Sequence, residues 1–305
     1  MTSELYKLYR PKSFKQVIGQ ESTVSALGEL IKKKDLPHSI LFYGPSGTGK
    51  TTLARITATK LKCSSYDLVE INAAESRGID IVRQIEFAAH MMPMSGPVRV
   101  WIIDECHQLT SAAQDCFLKV LEDTPEHVYF LLCTTDAKKL KKTIISRCTE
   151  FKLQSLPAKE IKRILDNVID EEEMKIDEDV IDKIVEIADG GPRKALVLLH
   201  SVTGTEDTRQ QLELLSRSDV KQQAIDLARL LLHNETNWRD VSMFLQKCEE
   251  DPEAMRYMIL NYMNSVALGD GKKISRAITI MELFQDTFYD SKKAGLTLAC
   301  YKAME

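Results

Sequence analysis

The chain has 305 residues, 44% of them hydrophobic and 28% charged, with 41 basic against 45 acidic side chains and a net charge of −4. This is the balance of soluble globular proteins; it excludes disordered, collagen-like and fibrous chains, and the length is that of two or three domains. No apolar run approaches the roughly 20 residues that span a bilayer, and the first ten residues lack the apolar stretch of a secretory signal.

A mildly acidic chain must meet any nucleic acid through local patches rather than bulk charge. Cysteines stand at 63, 106, 116, 133, 148, 248 and 300. They are odd in number and form no C-x-x-C pair. That supports neither a disulfide framework nor a zinc site and fits a reducing compartment.

In chain order, residues 21–34 place Val24, Leu27, Leu30 and Ile31 on one helical face. Residues 39–43 form a short apolar run that stops at Gly44, and residues 53–61 read as a helix. A short strand at 68–71 and a helix at 79–90 follow, closed by Pro93 and the Gly96-Pro97 pair. Residues 98–103 are a strongly apolar strand with acid at its end. Then come a helix at 111–122 capped by Thr110 or Ser111, a buried strand at 127–133 and a last short one at 151–153. Apolar strands separated by helices predict a parallel five-stranded α/β sheet covered on both faces.

Beyond Leu153 the period is helical. Ile161, Ile164, Leu165 and Val168 share one face, and Val180, Ile184 and Ile187 another; Gly190-Gly191-Pro192 then breaks the chain before a helix at 194–202. The eleven acids against two lysines in 166–189 read as a solvated helix face. Thr203-Gly204-Thr205 is a linker, after which three stripes are predicted. The first is Val220, Ala224, Leu227, Ala228 and Leu231; the second is Met255, Met258, Ile259, Tyr262 and Val266; the third is Ile274, Ile278, Met281 and Phe288. Asp219, Asn237 and Asp251-Pro252 sit where helix starts need caps. The resulting division is 1–155, 156–204 and 205–305.

Gly44-Pro45-Ser46-Gly47-Thr48-Gly49-Lys50-Thr51 fits G-x-x-x-x-G-K-[ST] between a strand and a helix, the context the motif needs. Glycines let successive backbone N–H groups turn toward a polyphosphate, and the helix N-terminus adds partial positive charge. Lys50 is expected at the β- and γ-phosphates and the Thr51 hydroxyl on Mg²⁺. The strand ending in Asp104-Glu105 supplies the second anionic partner, Asp104 for the metal or its water and Glu105 to polarise the attacking water. Together these predict nucleoside-triphosphate hydrolysis. Thr134-Thr135-Asp136 ends the next strand, and Ser146-Arg147-Cys148 follows the basic run Lys138, Lys139, Lys141 and Lys142.

The whole pattern resembles an AAA+ ATPase of the clamp-loader branch, similar to the small subunits of replication factor C and to bacterial gamma/tau-type chains. The residues that carry this are Tyr9-Arg10-Pro11-Lys12-Ser13-Phe14 with Val17-Ile18-Gly19-Gln20, the glycine-rich loop, Asp104-Glu105-Cys106-His107, Thr134-Thr135-Asp136, Ser146-Arg147-Cys148 and Gly191-Pro192-Arg193-Lys194-Ala195. The resemblance implies an α/β AAA+ core at 1–155, a helical lid at 156–204 and an all-helical collar at 205–305. It implies ATP and Mg²⁺ as cofactors, with Tyr9, Arg10, Pro11, Val17 and Ile18 lining the adenine pocket. Gly44 to Thr51 with Thr52 would hold the phosphates, and Pro192 and Arg193 would touch the nucleotide from the lid. Thr135 would be the sensor at the strand tip, Arg147 an arginine finger acting on the next subunit's ATP, and Arg193 a second sensor in cis. Where bacterial gamma-type chains carry a zinc module only Cys63 stands, so no zinc is expected, and residues 70–80 look more like replication factor C.

The implied partners are other clamp-loader subunits in a pentamer, a ring-shaped sliding clamp and primer–template DNA, with no membrane. The DNA contacts would be Arg83 and the helix start at Thr110 and Ser111, where N–H groups can meet phosphate without reading sequence. The implied compartment is the cytoplasm, the nucleus in a eukaryote, or the host cytoplasm for a virus. Two other readings stand beside it. One is a helicase or branch-migration AAA+ motor; the other is a nucleotide-gated replication scaffold with little turnover. The thirteen basic and sixteen acidic residues in 206–305, with no strand pattern, favour a collar over a winged-helix DNA module, and intact Lys50, Asp104, Glu105 and Arg147 favour turnover over a scaffold.

Overall fold

The computed structural model describes residues 4–205, 207–233, 236–248, 250–269, 271 and 273–304. Contacts divide the chain into residues 1–206 and 207–305. The first unit opens with helices α1 (Leu5–Leu8) and α2 (Glu21–Lys33), followed by β1 (Ser39–Tyr43) and α3 (Lys50–Lys60). β2 (Leu68–Asn72), α4 (Ile79–Ala89), β3 (Arg99–Asp104) and α5 (Ser111–Glu122) come next. β4 (Val128–Thr134), α6 (Lys142–Ile145) and β5 (Thr149–Lys152) complete the sheet region, and α7 (Ala158–Glu171), α8 (Glu178–Ala188) and α9 (Pro192–Val202) follow.

The five strands are all parallel, in the order β2-β3-β4-β1-β5. The near-continuous apolar character of the inner strands β1, β3 and β4 has a direct cause in two-sided burial, whereas the edge strands β2 and β5 are partly exposed. Ile40, Phe42, Val100, Ile102, Leu131 and Cys133 pack with Leu27, Leu53 and Ala54 of α2 and α3. The intervening Leu41, Trp101, Ile103, Phe130 and Leu132 pack with Val82, Ile85 and Phe117 of α4 and α5. Phe117 meets Phe130 edge-on, with ring centroids 5.4 Å apart. Register places Tyr43 of β1 beside Thr134 of β4, and Asn72 of β2 beside Asp104 of β3. The carboxyl ends of β1, β3 and β4 therefore gather at one edge of the sheet, where open α/β sheets form their ligand crevice.

Predicted elements and observed ones differ chiefly at their ends. α3 begins at Lys50, inside the glycine-rich motif, and α9 begins at Pro192, whose fixed φ suits a first helical position. Of the two candidate caps, Thr110 takes the role, accepting the Ala113 N–H at 3.2 Å. β5 covers Thr149–Lys152 rather than 151–153. Leu156 N–H donates to Gly190 O at 2.9 Å; Gly190 has φ +73°, and a Cβ there would lie 2.6 Å from Leu156 O, so this closure needs glycine.

The described elements of the second unit are all helices: α10 (Thr208–Leu232), α11 (Trp238–Lys247), α12 (Pro252–Ala267), α13 (Ile274–Leu283) and α14 (Lys292–Lys302). Its core joins Ala224, Leu227, Ala228 and Leu231 to Met255, Ile259, Ala277, Ile280 and Phe284. Asn237 and Asp251 cap α11 and α12, accepting the N–H of Asp240 and Ala254. Asp219 does not start a helix. It lies inside α10, where Gln223 Nε2 donates to its carboxylate one turn on, and the cap is Asp207, which accepts the Arg209 N–H. The third stripe is partly out of register. Phe288 is buried in this core beyond the end of α13 and Met281 packs against it, but Ile278 is exposed, and Ala277, Ile280 and Phe284 are the other buried positions.

Candidate nucleotide site

The glycine-rich loop leaves β1 with Gly44 at φ +150°, Gly47 at +75° and Gly49 at +102°, values that only glycine adopts readily. A Cβ on Gly44 would lie 2.2 Å from Leu153 O, and one on Gly47 would press on Arg193 Cβ at 3.3 Å. The loop thus curls tightly at the sheet edge and closely approaches the start of α9. Thr48 folds back on it, donating to Pro45 O at 2.8 Å. Lys50 opens α3 and is 6% exposed. Its Nζ donates to Gly44 O at 2.9 Å and Pro45 O at 2.7 Å. Burial lowers the pKa of its ammonium, opposed by the charges of Glu105 and Asp104.

Two side chains from neighbouring elements meet beside that lysine. Thr51 Oγ1 donates to Asp104 Oδ2 at 2.9 Å, joining the first turn of α3 to the tip of β3. Glu105 follows in the left-handed region, φ +48°, an unusual conformation for a residue with a side chain. Thr135, just past β4, donates to Glu105 Oε2 at 3.0 Å. Strand ends that are remote in sequence so deliver a cation, a hydroxyl–carboxylate pair and a second carboxylate to one place.

A cleft of about 650 Å³ opens from this point. Ser46 to Thr52, Asp104 and Glu105 line its floor; Tyr9, Arg10, Pro11, Val17 and Ile18 line one wall; Pro192 and Arg193 close it from α9. Sequence reasoning named all of these. It missed Tyr6, Ile164, Asn167 and Glu171, which also line the cleft. The only signal was the helical face containing Ile164; Asn167 and Glu171 read as solvated polar positions. The Arg193 guanidinium stands over the Tyr6 ring, 4.7 Å from its centroid. Tyr9 donates its phenol proton to Glu172 at 2.7 Å; desolvation and then this bond push its pKa up to about 12.

These residues fit a nucleoside triphosphate with a hard divalent cation. Thr51 and Asp104 are both oxygen donors, the set such a cation takes. Gly49 also lines the cleft, and a Cβ there would meet no atom within 4 Å.

Other predicted residues lie apart. Arg147 does not line this cleft; it pairs with Glu122 at the end of α5 and donates to Thr143 O at 3.0 Å. Arg83 is exposed on α4, 3.5 Å from Asp80. Thr110 and Ser111 are exposed at the start of α5, and the Thr110 N–H is bonded to Arg77 O at 3.0 Å.

The family model described as DNA polymerase III, delta subunit, matches residues 65–157. The chain is 36% identical over 216 residues to the DNA polymerase III subunit tau of Bacillus subtilis, covering 64% of this chain and 38% of the relative. It is 32% identical over 233 residues to that of Escherichia coli, covering 70% and 36%. The chain thus spans about two fifths of the length of these curated relatives. The Thermotoga maritima RuvB Holliday junction branch migration motor superposes with a TM-score of 0.57 at 23% identity, over 72% of this chain and 80% of that one, a likeness of fold. Phosphate loop, strand-tip acids, sheet order and these relatives converge on one likeness: the chain is similar to AAA+ ATPases of the clamp-loader branch.

Proposed function

We propose that this chain is an ATP-hydrolysing subunit of a sliding-clamp loader in DNA replication. Residues 1–155 act as the AAA+ core, 156–204 as the lid and 205–305 as the collar through which subunits assemble. The observation that carries this reading is the meeting of Lys50, Thr51, Asp104 and Glu105 in one cleft, with Thr135 bonded to Glu105 behind them and Arg147 standing outside.

Lys50 neutralises phosphate charge, and its loss of two carbonyl partners on nucleotide binding would free its donors for that task. Thr51 and Asp104 hold Mg²⁺, which when bound draws charge from the phosphate oxygens. Glu105 accepts a proton from the attacking water, and Thr135 fixes the carboxylate and reports the state of the γ-phosphate. Tyr9, Arg10, Pro11, Val17 and Ile18 hold the base, with Pro192 and Arg193 reaching from α9. Arg147 serves the ATP of the neighbouring subunit. A planar guanidinium suits charge spread over γ-oxygens, an effect of about 10³–10⁵ in rate where such arginines have been removed from other P-loop enzymes. Arg83 and the start of α5 at Thr110 and Ser111 face primer–template DNA.

The likeness to branch-migration motors is one of fold and leaves this reading ahead of a motor, since the sequence relatives are polymerase III subunits. The test is ATP turnover with primed DNA and a sliding clamp, added singly and together. Turnover should rise most with both; flat turnover under every combination contradicts the loader. Among the described residues no helix is long and apolar enough to cross a membrane.

A further inference from the structure

Behind Glu105 lies a side chain that the proposed hydrolysis does not yet use. Past Glu105 the chain enters a 3-10 turn, Cys106–Gln108, closed by Gln108 N–H donating to Glu105 O at 2.8 Å. Cys106 anchors that turn in the core at 1% exposure. The His107 side chain is 7% exposed and turns toward the tip of β4. Its Nδ1 lies 2.9 Å from Thr134 Oγ1 and 3.3 Å from Glu105 Oε2. On the other side of the ring, Gln108 Nε2 lies 3.0 Å from His107 Nε2. Assigning that amide as the donor to Nε2 places the ring proton on Nδ1, the nitrogen on the side of both oxygens.

We propose that His107 is a positioning residue for ATP hydrolysis, holding Glu105 by Oε2 together with Thr135 so that Oε1 is presented as the proton acceptor. The inference rests on the reading of Glu105 as base and goes beyond it. Thr135 donates to one carboxylate oxygen at 3.0 Å, and the His107 ring nitrogen, bonded to Thr134 Oγ1, stands 3.3 Å from the same oxygen. Among the described residues no donor reaches the other. A carboxylate gripped at one oxygen keeps a single orientation, and no rotamer search precedes proton transfer. Thr134 braces the ring and is itself fixed, its Oγ1 accepting the Asp136 N–H at 3.0 Å. A histidine that merely filled space would have no need of a proton on the Glu105 side. The left-handed backbone of Glu105 has a use here as well: it starts the turn that carries His107 back to β4.

Two amide substitutions separate this role from filling. In His107→Asn the amide nitrogen can take the place of Nδ1, and in His107→Gln it takes the place of Nε2. The readouts are kcat and KM for ATP, nucleotide affinity and melting temperature of the full chain, under the condition in which wild type turns over fastest. His107→Gln should lower kcat about tenfold or more with KM and affinity unchanged, while His107→Asn should stay within about threefold of wild type. Adding His107→Gln to Glu105→Gln should cost nothing further, because both act through one group. Equal kcat in the two amide variants, or a loss that tracks melting temperature or nucleotide affinity, would overturn the proposal. Wild-type turnover in Glu105→Gln would remove the base itself, whereas an inactive Glu105→Gln beside a fully active His107→Gln would reject only the role of His107.

Discussion

The two units of this chain are built by different rules. In residues 1–206 the sheet forces certain residue types to certain places. A strand buried on both faces must be apolar throughout, a loop that curls at positive φ must be glycine, and the acids must emerge where the strand stops. In residues 207–305 helices need only a stripe, and any apolar residue of suitable size at the right spacing will serve. Substitutions at the cleft of the first unit should therefore change chemistry, and those at buried or capping positions of either unit should change stability first.

The largest effect is expected at Arg147. Arg147→Ala should lower turnover by about 10³-fold or more while nucleotide affinity stays near wild type, read by steady-state hydrolysis and by binding of a non-hydrolysable ATP analogue. Lys50→Ala should instead weaken binding itself. A variant of Arg147 that fails only in affinity would break the distinction.

Asp67 tests whether the first unit also carries structural specificity. It is fully buried, takes the N–H groups of Met94, Ser95 and Gly96 at 2.6, 3.0 and 3.1 Å, and lies 3.4 Å from Arg99. Burial alone would raise its carboxyl, but the Ser64 hydroxyl and the three backbone donors outweigh that and hold it well below the usual carboxylate range. A depressed folded value means its stabilisation is present above an unfolded pKa of about 3.9 and is lost as pH falls toward the folded one. Asp67→Ala should cost about 3–5 kcal/mol and flatten that acid limb in urea titrations between neutral pH and about pH 3. A variant with the wild-type acid limb contradicts the assignment.

In the second unit, Phe284 is fully buried with its ring 5.8 Å from that of Phe288. Phe284→Ala should cost about 3–5 kcal/mol while leaving affinity for the ATP analogue unchanged. An equal loss of nucleotide binding would mean the units are not separable. Smallest is the cap: Asn237→Ala should cost about 1 kcal/mol, visible as a lowered melting temperature without any change in turnover.

The same contrast explains what could be read from the amino acids. Lys50, Thr51, Asp104 and Glu105 were legible because a polyphosphate and its cation permit few residue types at those spacings, and Ile40, Ile102 and Leu131 because two-sided burial leaves apolar runs. Asp219 was misread because an aspartate on an exposed helix face resembles a cap; nothing local distinguishes it from Asp207, the true start. Ile278 was misplaced because a stripe run on to Phe288 crosses the end of α13 at Leu283, and within that helix the buried face runs through Ala277 and Ile280. Tyr6, Asn167 and Glu171 were invisible for another reason. They reach the cleft only through the packing of elements far apart in sequence, and no spacing records that.

The proposed loader needs a cation from a neighbouring subunit to complete the cleft. Hydrolysis per chain, measured across a dilution series alongside native mass, tests it most directly. The rate per chain should fall in step with loss of the assembled form. Monomer that hydrolyses ATP as fast as the assembly would contradict it.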